Sequence, residues 1–221
     1  MIRMNLSAEA AEARGFRSRW AWWWPKTARS WMAAGFVVAF VLAAITLALF
    51  GVGERGTDIA LRITARWSFV LFWPAYSGGA IAKLFGPQFN GLARRGRDWG
   101  LAYASAQLVH VALVLWIFYL VPSHIGGMVF FWVGILCTYV LALFSLKEMR
   151  EALGQQLWQI SRTIALEYIA LVFAADLILL PVQENRFGKY WLLTYAPFAL
   201  MLICGLGLRV ASFARYRFVA R

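Results

Sequence analysis

Apolar residues run through the chain in six blocks of about 20, the length a helix needs to cross the hydrocarbon of a bilayer. They are Trp31 to Val52, Asp58 to Phe85, Trp99 to Val121, Gly127 to Leu146, Leu157 to Leu180 and Tyr190 to Val210. Proline closes the third block at Pro122 and the fifth at Pro181, while Pro74 falls in the middle of the second and predicts a kink there. The connections are short, and no repeat or low-complexity tract interrupts them. The pattern therefore predicts an all-α fold, a polytopic six-transmembrane-helix bundle over residues 31–214.

Composition agrees with that pattern. Of 221 residues, 62% are apolar and 14% charged, against about 45–50% and 25% in a soluble domain, so lipid has to be part of the solvent. A net charge of +12 would point to nucleic acid in a soluble protein, but the bases cluster at the ends of the apolar blocks and no nucleic-acid partner is expected. Cys137 and Cys204 lie inside apolar stretches without metal or redox spacing and read as small hydrophobes.

Counted along the alternating connections, Lys and Arg number 16 on one side and 3 on the other, which predicts that both termini are cytoplasmic. Arg62, Arg66 and Arg162 fall inside blocks and stand outside this count. Residues 1–30 carry Glu9 and Glu12 and no small-residue cleavage pattern, so no removable signal peptide is expected. Their basic, indole-rich stretch with Trp22, Trp23 and Trp24 reads as an interfacial anchor, as do Arg94, Arg95 and Arg97 after the second block. Residues 215–221 read as a basic cytoplasmic tail.

Ionisable groups within a span cost ~2.5–3.5 kcal/mol on insertion, so each raises the question of its partner. Tyr103, Gln107 and His110 share one helical face at i, i+4 and i+7, and that face should point inward. His110 and Glu167 fall at similar depths in spans that run the same way. Together with Tyr103 and Gln107 they are expected to form a buried polar cluster. Asp176 is expected to meet Arg62 or Arg66 near the outer face, unless those arginines snorkel to the headgroups. Small residues at Gly100, Ala102, Ala104 and Ala106, and at Ser77 to Ala80, signal close helix packing.

Arg94-Arg95, Gly100-Leu101 and His110 ten residues past that glycine resemble a pattern of the ferric-reductase-like transmembrane domain family. Pro74, Leu141 to Ser145, and Leu153-Gly154 followed by Trp158 and Arg162 extend the likeness over residues 50–182. The family includes the haem-binding membrane subunit of the periplasmic methionine-sulfoxide reductase system. The resemblance implies a bacterial-type cytoplasmic (inner) membrane location and b-type haem held by histidines of spans three and five. His110 fits the inner position on span three, and His124, fourteen residues on, has the spacing of the outer one. Span five departs from the pattern, with Ser161 before Arg162, and Ala174 and Ala175 where the second histidine would stand.

Fourteen residues of helix separate two side chains by about 21 Å, so His110 and His124 cannot flank one iron at roughly 2.0–2.1 Å each. That leaves a five-coordinate haem on His110 or His124, a second ligand such as Met128, or no haem. Two functions follow: a membrane electron-transfer subunit served by a separate redox protein or quinone, or a haem-free scaffold or assembly subunit of the same fold. A proton path through Glu167 and His110 ranks third, since broken helices and a second central carboxylate are missing. No G-x-G-x-x-G occurs and about eleven residues follow the sixth span, so no flavin or nicotinamide domain is expected.

Overall fold

The computed structural model describes residues 28–122, 129–145, 147–183 and 194–219, all-helical with no strand among them. In chain order come α1 (Ala28–Phe50), α2 (Glu54–Phe85), a 3-10 turn (Pro87–Phe89), α3 (Asn90–Arg94) and α4 (Gly96–Leu120). Then follow α5 (Val129–Leu143), α6 (Lys147–Leu153), α7 (Gln155–Ala174), a π-helical turn (Ala175–Leu179), α8 (Leu180–Gln183) and α9 (Ala196–Val219). Three stretches are long and apolar enough to cross a membrane: Ala28–Phe50, Pro87–Leu120 and Ala196–Arg215. Val129–Leu143 is apolar but shorter.

α2 carries Pro74 within one helix of 32 residues, and α9 carries the basic residues from 215 on as helix to Val219. Helix limits follow the chain's punctuation with one correction. Pro181 does not close the fifth block: Leu180 N–H reaches back five residues to Ala175 O, and the chain then stays helical to Gln183. α4 ends at Leu120, two residues ahead of Pro122, as a proline dictates.

Packing divides the helices into a tight set and a looser one. α4 lies against α1 and α2, α2 also packs on α1 and α9, and α5 pairs with α7. Small residues make the tight seams. A Cβ added to Gly35 of α1 would come within 2.5 Å of Ala102 O on α4, and Trp67 Nε1 donates to the Gly35 carbonyl at 3.1 Å. On the α5–α7 seam, a Cβ at Gly134 would meet Val172 Cγ2 at 2.8 Å. Lipid tails are as apolar as leucine, so such seams gain stability from close van der Waals contact more than from water exclusion.

Between α4 and α7 the backbones stay apart and aromatic rings span the gap. Phe173 of α7 lies 5.1 Å from Phe69 and 5.3 Å from Phe72 of α2, and 6.1 Å from Tyr103 of α4, centroid to centroid. All four rings are buried. Three hydroxyls on the helices are satisfied locally, Thr46 by Leu42 O, Thr138 by Gly134 O and Ser77 by Trp73 O, four residues back in each case.

The seam between α1 and α4 makes a direct prediction. Gly35→Val should lower stability by about 1–3 kcal/mol, because the Ala102 backbone cannot retreat. Gly79→Ala, where an added methyl meets nothing within 4 Å, should leave it unchanged or slightly raised. Thermal unfolding of both variants in one detergent reads the difference; equal melting points would remove the seam from the account.

Candidate functional site

The aromatic bridge leaves a void at each end of the α4–α7 gap. The larger, about 400 Å³, falls within the size range of small-molecule sites. It is lined by the first half of α2, the middle of α4, the first half of α5 and the C-terminal half of α7 with its π-helical turn. Its walls are mostly apolar, with Leu61, Val114, Phe131, Ile135, Ile169 and Val172 among them. The polar side chains on it include Asp58, Arg62, Tyr103, Gln107, His110, Asp176 and Tyr195.

His110 is oriented by a residue that sequence periodicity did not single out. Its Nδ1 lies 3.0 Å from Thr64 Oγ1, and that hydroxyl is in turn 2.9 Å from Ala60 O and 3.1 Å from Leu61 O. A threonine has one hydroxyl proton, which goes to a main-chain carbonyl of α2. Oγ1 then accepts the Nδ1 proton, and Nε2 keeps its lone pair. Histidines that bind metals are commonly held in this way, by a hydrogen bond from the other ring nitrogen.

The expected cluster of Tyr103, Gln107, His110 and Glu167 forms only in part. Tyr103, Gln107 and His110 line one chamber, as their shared face requires. Tyr103 OH, however, bonds Thr138 Oγ1 of α5 at 3.1 Å, and Gln107 Oε1 is buried without a hydrogen-bond partner. Glu167 is elsewhere: Oε2 accepts from Tyr76 OH at 2.7 Å, and Oε1 pairs with Arg209 of α9, also at 2.7 Å. Equal depth was not enough to bring it to His110. At 100° per residue Glu167 lies roughly 120–160° around α7 from Ile169, Val172 and Phe173, which face the chamber. Arg209 also donates to Tyr76 O at 3.1 Å and covers the Tyr76 ring at 4.5 Å, so one cation closes the network.

Nor do the outer arginines form the contacts expected with Asp176. Arg62 pairs with Asp58 four residues earlier at 2.6 Å, on the same turn of α2. Arg66 donates to Thr194 O at 2.8 Å and lies over the Tyr195 ring at 4.5 Å. Both guanidinium groups remain within electrostatic range of the Asp176 carboxyl. His124, Met128, Trp22, Trp23 and Trp24 lie outside the described residues. Arg94 and Arg97 line the second void, and Arg95 precedes α4.

The donor set decides which haem these walls fit. On the α4 side His110 offers one imidazole. Opposite it, Ile169, Val172 and Phe173 offer no donor, and Asp176 supplies only a carboxyl. Ala174 and Ala175 have no side-chain donor atom. Among the described residues no cluster of three or more His, Cys, Asp or Glu exists that would bind a bare metal ion. A bis-imidazole haem does not fit these residues, since His110 supplies the one imidazole among the described residues that line the chamber.

The Glu167–Arg209 pair can be tested apart from any ligand. With side chains 45% and 24% exposed, it is neither deeply buried nor free in solvent. Glu167→Leu or Arg209→Leu alone strands a charge, so Glu167→Leu/Arg209→Leu together should melt above either single variant, with a coupling of about 0.5–3 kcal/mol. Additive losses in detergent melts would show the two groups to be independent. No family model matches the chain, and no curated protein or solved structure is matched by it.

Proposed function

We propose that the chain is a six-span membrane protein of ferric-reductase-like design with both termini cytoplasmic, a degenerate electron-transfer subunit that carries at most one b-type haem, five-coordinate on His110. The observation that carries this reading is the Thr64–His110 bond beside a chamber of about 400 Å³, a directed imidazole with one nitrogen left for a ligand. Haem, when bound, supplies one-electron chemistry. The chain's own residues position the imidazole, exclude water with apolar walls and present Arg62 as the cation at the rim. Electrons come from a separate redox protein or from quinone.

Charge distribution supports the topology. α2 and α5 give the His110 chamber their first halves and α7 its last, while α4 runs from the second void at Gly96 to the His110 chamber at Val114, so neighbouring helices alternate in direction. Arg94, Arg97 and Arg162 gather at the opposite end, and Arg215 reaches the Leu84 carbonyl at the end of α2. A basic end of this kind faces the cytoplasm.

A second reading, a haem-free scaffold or assembly subunit, is favoured by the bridge of Phe69, Phe72, Tyr103 and Phe173, which fills the space between α4 and α7. The visible spectrum of protein purified from a haem-replete host separates the two. The first reading expects a Soret band that is lost in His110→Ala and a haem affinity about 10-fold weaker in Thr64→Val. A folded, colourless wild type contradicts it and leaves the scaffold.

A further inference from the structure

The end of the bundle away from His110 holds the second void, of about 250 Å³. Three guanidinium groups line it: Arg94 from α3, Arg97 from the first turn of α4 and Arg162 from α7. No Asp or Glu lines it, and among the described residues none of the three forms an ion pair or hydrogen bond. Arg62, Arg66 and Arg209, by contrast, each have a carboxylate or carbonyl partner within the bundle. Arg209 is also in electrostatic range of Arg162 and adds to the positive field.

The rest of the lining suits an anion attached to an apolar body. α3 runs into α4 through Arg95, which places Arg94 and Arg97 on adjoining turns at this end of the bundle. Gly96 and Gly100 present bare backbone there, and a Cβ at Gly96 would stand 4.0 Å from Arg162 Nη2. Beyond the arginines the floor is apolar, with Phe72, Leu141 and Leu166. Three exposed cations that line one void with no acidic partner attract an anion, and the guanidinium fork matches the oxygens of a phosphate.

We propose that this chamber binds the phosphate of an anionic phospholipid, taken from the leaflet at the basic end, with its glycerol and first acyl carbons over the apolar floor. The proposal rests on the membrane reading above and is independent of haem. Its failure would leave the His110 spectrum untouched.

Full-length protein in detergent micelles doped with phosphatidylglycerol or phosphatidylcholine is examined by native mass spectrometry, with inorganic phosphate titrated in a third arm. One retained phosphatidylglycerol, preferred about 10-fold over phosphatidylcholine, is expected. The preference should vanish in Arg94→Gln/Arg97→Gln/Arg162→Gln and be weakened but retained in the matching triple lysine variant, which keeps the charge and loses the fork. Arg215→Gln, which alters a cation outside the void, should leave it unchanged. If the triple glutamine variant does not fold, Arg97→Gln alone should lose about 3-fold or more. Phosphate binding that is lost with the arginines, without lipid retention, supports the anion site but overturns its lipid source. Equal retention of the two lipids, or binding unchanged in the folded glutamine variants, overturns the proposal.

Discussion

Phe69, Phe72, Tyr103 and Phe173 meet between α4 and α7, and their contact sets the spacing on which both chambers depend. Elsewhere glycines and alanines let backbones touch, as at Gly35 against Ala102. Four buried rings cannot pack that closely, so α4 and α7 stand off from one another. The space above and below the rings is open. Tyr103 and Ile169 border both spaces, so the bridge is also the partition between them.

The two voids differ in how far their charged groups are matched from inside the chain. At the His110 end acid and base are both present: Asp58 neutralises Arg62, and Asp176 stands within the field of two arginines. What remains unmatched there is the second imidazole nitrogen, set by the Thr64 bond, and the orphaned Gln107 Oε1. At the other end only cations face the void. One chamber thus offers a lone-pair donor in an apolar box, and the other offers uncompensated positive charge. The Glu167–Tyr76–Arg209 network lies on the far side of α7 and ties α2, α7 and α9 together without entering either.

The all-helical order was legible in the sequence from the apolar blocks, and Pro122 marked the end of α4, whereas Pro74 and Pro181 end no helix. The face shared by Tyr103, Gln107 and His110 was legible too, since the helical period is a property of one segment. What could not be read was rotation between segments. Depth counting put Glu167 level with His110 but carried no information on which way α7 turns. Arg209, counted as one more cytoplasmic base, proved to be the partner of Glu167. Thr64 went unnoticed because a hydroxyl that bonds its own helix four residues back looks self-sufficient. The Asp58–Arg62 pair was available from its i, i+4 spacing and was passed over in favour of a longer-range partner. Pro181 misled because a π-helical turn ahead of it changes which carbonyl the helix uses next.

The central claim is that one wall of the His110 chamber supplies a nitrogen ligand and the opposite wall, formed by Ile169, Val172 and Phe173, supplies none. Low-temperature electron paramagnetic resonance of the oxidised, haem-loaded protein reads the ligand set without reference to any partner. An axial high-spin ferric signal that disappears in His110→Ala is the expected result. A rhombic low-spin signal from two imidazoles on one iron would contradict the account.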